Sequence, residues 1–224
     1  MMKSSDVREA ADIARVATSM LLQTSNNQLG RAGSDLRRAC GDVAANAEVY
    51  ITYNQIAPKL AYCFDQARVT GATADEFNRI QEALVAETPV SLMAVLMTQS
   101  CIGFSLQQMS LALTAVTFTS REDVDAVVPE INTAFDAAEE SAADAMALVP
   151  YRTLVALHAA TTFFLYDTAR PLPQMLDFQF AAIRPTLIQS YRLYADASRA
   201  DELRDENKVV HPAFAPRLGR ALSF

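Results

Sequence analysis

The feature that most constrains the fold is an uncharged stretch of 33 residues, from Thr88 to Ser120. It reads TPVSLMAVLMTQSCIGFSLQQMSLALTAVTFTS, and a helix of that length could cross a membrane. Glutamines and serines interrupt it repeatedly, however, and no basic residue flanks its start. A helix buried inside a bundle or at a subunit interface explains the pattern better. We therefore predict a central core helix and no membrane partner.

Composition and charge narrow the functional classes. The chain has 224 residues, of which 51% are hydrophobic and 20% charged, so it is globular and long enough to bury a sizeable core. Its net charge is −7, and no basic run is longer than Arg37-Arg38. Because phosphate binding needs clustered basic side chains, we expect no direct nucleic-acid binding.

The cysteines and the N-terminal residues indicate whether the protein is cytosolic or secreted. Cys40, Cys63 and Cys101 form no CxxC motif and are odd in number, which predicts buried, reduced thiols in a cytosolic protein. The first 16 residues carry charges where a signal peptide needs an apolar core. We therefore expect no secretion by that route.

Helical periodicity predicts a multi-helix bundle over residues 1–170. Val124, Val128, Ile131 and Phe135, for example, form one apolar stripe, and Pro129 implies a bend in that helix. The first three predicted helices cover roughly residues 4–24, residues 35–67 and residues 74–88, and Pro58 is expected to kink or divide the second. The uncharged helix follows and ends near Phe118. The last two helices begin at the cap formed by residues 120–123 and at Pro150. Residues 26–34 and 69–73 are predicted breaks, and Thr73 with Glu76 matches a capping box.

A change in composition at TARPLPQ (168–174) predicts a domain boundary. After it, alternation in 174–180 predicts a strand, and Pro185-Thr186 opens a helix. A second short helix, capped at Ser198, ends near Asn207; HPAFAP is predicted as extended and RALSF as a final strand. The predicted fold is therefore mainly α, with a helical bundle followed by a small α+β module of strand–helix–helix–strand order over 174–224.

That order, with the motif TLIQSYRLYADASRADELRDEN…HPAFAP, resembles a LysM module. Thr186-Leu187 stands where the family has Thr-Leu, and Asn207 matches the Asn that closes its second helix. Two departures occur in the loops that border the glycan groove of sugar-binding members: Arg184-Pro185 replaces Gly-Asp, and Pro-Gly-Gln before the last strand is not preserved. A LysM-type peptidoglycan- or glycan-binding protein is the alternative function.

The module supplies the candidate core or interface residues. We expect Leu187, Ile188, Tyr191 and Tyr194 to share one helical face, with Leu203 as the inward anchor of the second helix. The aromatic residues of this region form either its core or an assembly interface. The candidate residues are Leu187, Tyr191, Tyr194, Leu203, Asn207, Pro212, Phe214 and Pro216.

A closer resemblance covers roughly residues 115–216. The runs FTSREDVDAVVPEINTAFDAAEESAADA and YRLYADASRADELRDENKVVHPAFAP are similar to the C-terminal half of the DNA circulation (circularisation) proteins of Mu-like phages. The N-terminal domain of longer members is not evident, which implies a shortened version or one half of a split gene.

The resemblance implies a structural component of a contractile tail, placed where the tube meets the baseplate hub. Such a protein belongs to the virion and is assembled in the host bacterial cytoplasm. The implied partners are hub, tube and baseplate ring subunits, and the implied assembly is a homo-oligomeric ring, with sixfold symmetry.

Little in the sequence indicates catalysis. His158 shares a helical face with Leu154, Thr161 and Leu165 and is predicted to be a core histidine, while His211 is predicted to make a structural hydrogen bond. The carboxylates at 139–140, 201–202 and 205–206 are predicted to lie on solvated helix faces. No P-loop, GxGxxG, HExxH or CxxC occurs. We expect no enzyme, no catalytic residue, no cofactor and no metal.

Overall fold

The computed structural model describes residues 3–24 and 30–223, and within them the chain is mainly helical with a small antiparallel sheet near the C-terminus. This confirms the predicted fold class. The helices are α1 (Ser4–Leu22), α2 (Gly30–Thr52), α3 (Ile56–Val69), α4 (Ala74–Val85), α5 (Leu92–Leu113), α6 (Arg121–Asp144), α7 (Leu148–Ala169), α8 (Thr186–Tyr194) and α9 (Ala200–Glu206), and the strands are β1 (Met175–Gln179) and β2 (Leu218–Leu222).

Packing divides the chain into two compact units. The first comprises residues 1–116 and 129–162, and the second comprises residues 117–128 and 163–224. The second unit thus includes the module and two segments from the region predicted as bundle. The domain boundary at 168–174 stays a prediction.

In the first unit the uncharged helix α5 packs against α1, α3 and α4, as the sequence predicts for a central core helix. Its polar side chains are accommodated because they are hydrogen-bonded. Ser105 Oγ donates to the carbonyl oxygen of Phe77 at 2.7 Å, and Gln99 Nε2 donates to Ser141 Oγ at 2.9 Å.

Two prolines were expected to break or begin helices at positions that the structure corrects. The break between α2 and α3 lies at residues 53–55, where Asn54 adopts a positive φ of 54°, and Pro58 is the third residue of α3. Pro150 is the third residue of α7, in its first turn as predicted, although the helix begins two residues earlier at Leu148. In a first turn the missing N–H of proline leaves no helical bond unmade. The predicted break at 26–34 is wrong for residues 30–34, which belong to α2, and its first four residues lie outside the described part of the chain.

The predicted caps of α4 and α6 are confirmed. Thr73 Oγ1 accepts from the Glu76 N–H, and the Glu76 carboxylate accepts from the Thr73 N–H at 2.9 Å. Before α6, Ser120 Oγ accepts from the Asp123 N–H at 3.2 Å, and Asp123 accepts in return from the Ser120 N–H at 2.9 Å. The stripe Val124, Val128, Ile131 and Phe135 is buried as predicted.

The module has the predicted strand–helix–helix–strand order. β1 pairs with β2 antiparallel, with Phe178 opposite Gly219. Its small core consists of Phe178, Tyr194, Leu203 and Ala221.

Two local predictions in the module are wrong. Ser198 does not cap α9; instead Asp196 accepts from the Ser198 N–H at 2.8 Å and caps a 3-10 turn over residues 197–199. The HPAFAP segment is not extended throughout, since Pro212–Phe214 forms a second 3-10 turn. In both cases a short polar side chain, Asp196 or His211, accepts from a backbone N–H two residues ahead and so favours a turn.

Candidate interaction surface

Helix α8 buries its polar face and exposes its apolar face. The buried residues are Thr186, Gln189, Ser190 and Tyr194. Leu187 and Tyr191 are 58% and 62% exposed, and Ile188 is also exposed. The predicted shared face is therefore confirmed for Leu187, Ile188 and Tyr191, and it is wrong for Tyr194, which lies on the buried face. We call Leu187, Ile188 and Tyr191 the α8 surface.

The polar face is buried because its side chains hold the surrounding loops. Gln189 Nε2 donates to the carbonyl oxygen of Pro216 at 2.8 Å, and Ser190 Oγ donates to that of Asp196 at 2.6 Å. Buried polar groups are tolerated where such bonds are made. Irregular loops leave carbonyl groups without a secondary-structure partner, and α8 supplies donors for them.

Two of the candidate residues are in the core. Tyr194 is 7% exposed, and Leu203 is 2% exposed, which confirms its predicted inward position. The guanidinium carbon of Arg199 lies 3.8 Å from the centre of the Tyr194 ring, and Arg199 also pairs with Glu202. Burial raises the pKa of Tyr194.

Three further candidates hold loops or lie at the surface. The carbonyl oxygens of Pro212 and Pro216 accept from Thr186 and Gln189, so these prolines contribute through their backbone. Phe214 is 70% exposed in the 3-10 turn that packs beside α8. His211 accepts from the Ala213 N–H at 3.3 Å, which is the structural role predicted for it.

Asn207 joins α9 to the sheet. Its Oδ1 accepts from the Arg220 N–H, and its Nδ2 donates to the Arg220 carbonyl oxygen, both at 2.7 Å. Nδ2 also donates to the Leu203 carbonyl oxygen at 2.9 Å. The side-chain amide therefore pairs with β2 as a strand backbone would.

The first unit also exposes apolar surface. A groove of about 480 Å³ is lined by α5 and α7, with Phe104, Val149, Leu154 and Leu157 among its residues. Among the described helices, α7 is the one whose length and composition would allow it to cross a membrane, and 17% of its most apolar window is buried. The absence of a membrane partner stays a prediction.

The three thiols are buried and unpaired by disulfides, as predicted. A hydrogen bond with Cys40, together with burial, raises the pKa of Cys63. Burial alone raises the pKa of Cys101 to about 12. The hydrogen bond between Cys40 and Cys63 lowers the pKa of Cys40. Cys63 and Cys101 are held in the protonated form, in which a thiol is a poor nucleophile, and this fits a packing role for these two residues.

One polar cluster in the first unit departs from its predicted role. His158 lies beside the buried face that holds Leu154 and Thr161, but its two ring nitrogens face Glu139 and Asn132. The Glu139 side chain is only 19% exposed, so the prediction of a solvated face is wrong for this residue. The other predicted acidic pairs differ: Asp201 and Asp205 lie at the surface in ion pairs with Arg204.

Sequence reasoning missed Gln189, Ser190 and the Glu139–His158 contact. The signal for the first two was present as polar residues spaced three and four positions from Thr186 and Tyr194. For the contact, the two residues are 19 positions apart on different helices, and no local pattern joins them.

Comparison with known proteins adds no identification. No protein-family model matches the chain, and no curated protein sequence matches it.

Proposed function

We propose that the chain is a structural component of a contractile phage tail, or of a phage-derived tail-like particle. It acts as an adaptor at the junction of the tail tube and the baseplate hub. The α8 surface is the observation that supports this role best, because a folded domain rarely presents its apolar helix face to water while it buries the polar one. The resemblance of residues 115–216 to phage circulation proteins supports a phage tail as the particle.

The energetics favour a repeated contact over a single strong one. Burying a large apolar side chain completely contributes about 1.5–3 kcal/mol, and the α8 residues are already partly covered. The gain from one copy is therefore a few kcal/mol, comparable to or below the cost of association of about 4–15 kcal/mol. A ring of copies multiplies the contact, so binding becomes strong only in the assembled particle.

The first test is sedimentation of a native lysate on a density gradient, with each fraction probed for this chain. We expect the chain to migrate with tail-shaped particles at several copies per particle. A chain that stays at the top of the gradient, while tails sediment without it, would contradict the adaptor role.

Matched variants locate the contact. The double substitution Leu187→Ser and Tyr191→Ser removes most of the α8 surface without touching the buried face of the helix. We expect this variant to be absent from the fractions that contain tail particles. Arg192→Ala changes an exposed residue of the same helix and serves as the control. Equal co-migration of both variants would exclude the α8 surface as the contact.

Glycan binding is the second candidate, carried by exposed Tyr191 and Phe214 on neighbouring elements of the module. A pull-down on purified peptidoglycan separates the two functions. An adaptor should remain in the supernatant, whereas retention that is lost in Tyr191→Ser would support the glycan-binding alternative.

A further inference from the structure

Helices α6 and α7 bring a cluster of polar side chains together in the first unit. Asn132, Asp136 and Glu139 follow one another at helical spacing on α6, and His158 faces them from α7. They line a surface cavity of about 460 Å³ with Val155, Ala159 and Thr162. Neither the resemblance nor the proposed function uses this cluster.

The hydrogen-bond partners of His158 are both acceptors. Nδ1 lies 3.0 Å from Glu139 Oε1, and Nε2 lies 3.0 Å from Asn132 Oδ1. A neutral imidazole has one N–H and can donate to only one of these oxygens. In the tautomer whose Nε2–H donates to Asn132 Oδ1, the Nδ1 lone pair faces the Glu139 carboxylate, and a metal ion bound by both atoms suits that contact.

The carboxylates of Asp136 and Glu139 also favour a bound cation. Ligand atoms of Asp136, Glu139 and His158 all lie within 4.8 Å of one another. Within the described ranges, no Lys or Arg side chain makes an ion pair with either carboxylate. Like charges this close are destabilising unless a positive charge neutralises them.

We propose that this cluster binds one divalent first-row transition metal ion, such as Zn²⁺. His158 Nδ1, Glu139 and Asp136 are its protein ligands, and water completes the coordination from the cavity. A mixed nitrogen and oxygen set favours such an ion over Mg²⁺ and Ca²⁺, which prefer oxygen ligands alone.

The geometry suits adjacent ligands. Two ligand atoms that each lie about 2.1 Å from a tetrahedral zinc ion are about 3.4 Å apart. Glu139 Oε1 and His158 Nδ1 lie 3.0 Å apart, so a small separation of the two side chains admits the ion. Asp136 is exposed, so its side chain can rotate to complete the set.

The surroundings hold the histidine in the required orientation. Its ring stacks on Phe135, with centroids 4.7 Å apart and planes within 5°. In the tautomer that metal binding requires, Nε2–H donates to Asn132 Oδ1 and the Nδ1 lone pair is directed at the metal position. Metal-binding histidines characteristically use their second nitrogen in this way. The bound ion joins α6 to α7 within the first unit.

The test is calorimetric titration of Zn²⁺ into the full chain after chelator treatment and dialysis. We expect one ion per chain, and at least about 10-fold weaker binding for Asp136→Asn, whose exposed position should not disturb folding. His158→Gln should show a similar loss, and Asn132→Ala a loss of about 10–100-fold, as is usual for partners of metal ligands. Glu140→Gln, which removes the same charge from the next position, should bind as the wild type does.

Co²⁺ provides a second readout, because its visible absorption changes in position and intensity when protein ligands replace water. Wild-type protein should develop this spectrum with one equivalent of Co²⁺, and Asp136→Asn should not. Absence of binding to the wild type would overturn the proposal. Binding that Asp136→Asn and His158→Gln leave unchanged would also overturn it, since the ion would then lie elsewhere.

Discussion

At the scale of single residues, the module depends on a close contact between Asn207 and Gly219. The Asn207 amide lies against β2, where it is hydrogen-bonded to Arg220. A Cβ atom at position 219 would run into Asn207 Oδ1 and lie 2.6 Å from Phe178 Cζ. Glycine is therefore required there because the helix C-terminus and the core ring both approach the strand backbone.

This contact predicts the effect of Gly219→Ala. We expect the substitution to lower the free energy of unfolding by about 1–3 kcal/mol, because the crowded core must shift to admit a methyl group. Thermal unfolding measures the change. Gly41→Ala is the control: its Cβ meets nothing within 4 Å, so alanine there should stabilise α2 by up to about 1 kcal/mol. Equal effects of the two substitutions would contradict the close approach.

At the scale of elements, Arg121 anchors the Pro-rich segment that precedes β1. Its guanidinium donates to the carbonyl oxygens of Leu172 at 2.9 Å and Arg170 at 3.1 Å. Its backbone N–H donates to the carbonyl oxygen of Pro173 at 3.0 Å. Prolines cannot donate backbone hydrogen bonds, so this segment is held by an outside donor at the start of α6.

We predict that Arg121→Ala loosens this segment. Two side-chain hydrogen bonds from a charged donor are lost at a partly exposed site, so we expect a destabilisation of about 1–3 kcal/mol. Hydrogen–deuterium exchange should rise in residues 170–175, and Arg152→Ala, on the exposed side of α7, should leave it unchanged. Unaltered exchange in Arg121→Ala would show that the prolines alone fix the segment.

A polar contact also joins α2 and α3. Tyr50 Oη donates to both Asp42 carboxylate oxygens at 2.8 Å, and Lys59 Nζ donates at 3.1 Å. These hydrogen bonds, the one from Tyr50 above all, hold the pKa of Asp42 below its ordinary value. Because the folded pKa is the lower one, Asp42 stabilises the fold above its unfolded pKa of about 4, and this contribution is lost as the pH falls through the lowered value.

The pH dependence of the melting temperature of Asp42→Asn tests whether the ionised Asp42 carboxylate stabilises the fold. The melting temperature of the variant should lie below that of the wild type at pH 7, and the two should converge as the pH falls from about 4 to 2. Glu87→Gln, in the exposed loop after α4, should show no such convergence. A difference for Asp42→Asn that is constant with pH would mean that the ionised carboxylate contributes nothing.

At the scale of the whole molecule, charge opposes contact with nucleic acid whereas apolar surface favours contact with protein. The net charge is −7, and many large apolar side chains of both units remain exposed, including Val149, Phe163 and Leu218. Protein interfaces use such side chains, and polyanions need clustered cations.

We therefore predict that the chain does not shift linear duplex DNA in an electrophoretic assay, even near 50 mM salt, where phosphate contacts are strongest. A basic helix-turn-helix domain at the same concentration provides the positive control. A shift that weakens steeply as salt is added would contradict the prediction and support a DNA-associated role.

The sequence by itself determined the elements, because helix and strand periodicity, caps and turn residues act over a few positions. It located α5 as the core helix, the Thr73 cap, the strand–helix–helix–strand order of the module and the buried Leu203. The division near Pro58 was misplaced, since a proline is equally compatible with a break and with a first turn, whereas Pro150 lies in a first turn as predicted.

Only the tertiary structure decided which face of α8 is buried, and which distant side chains meet. Hydrophobic patterning predicts an apolar face turned inward, but the hydrogen-bonding needs of the 195–198 and 212–216 loops turned Gln189 and Ser190 inward instead. The approach of Glu139 to His158, and of Arg121 to residues 170–173, depends on how helices and loops pack. Such contacts join positions far apart in the chain, and local periodicity carries no information about them.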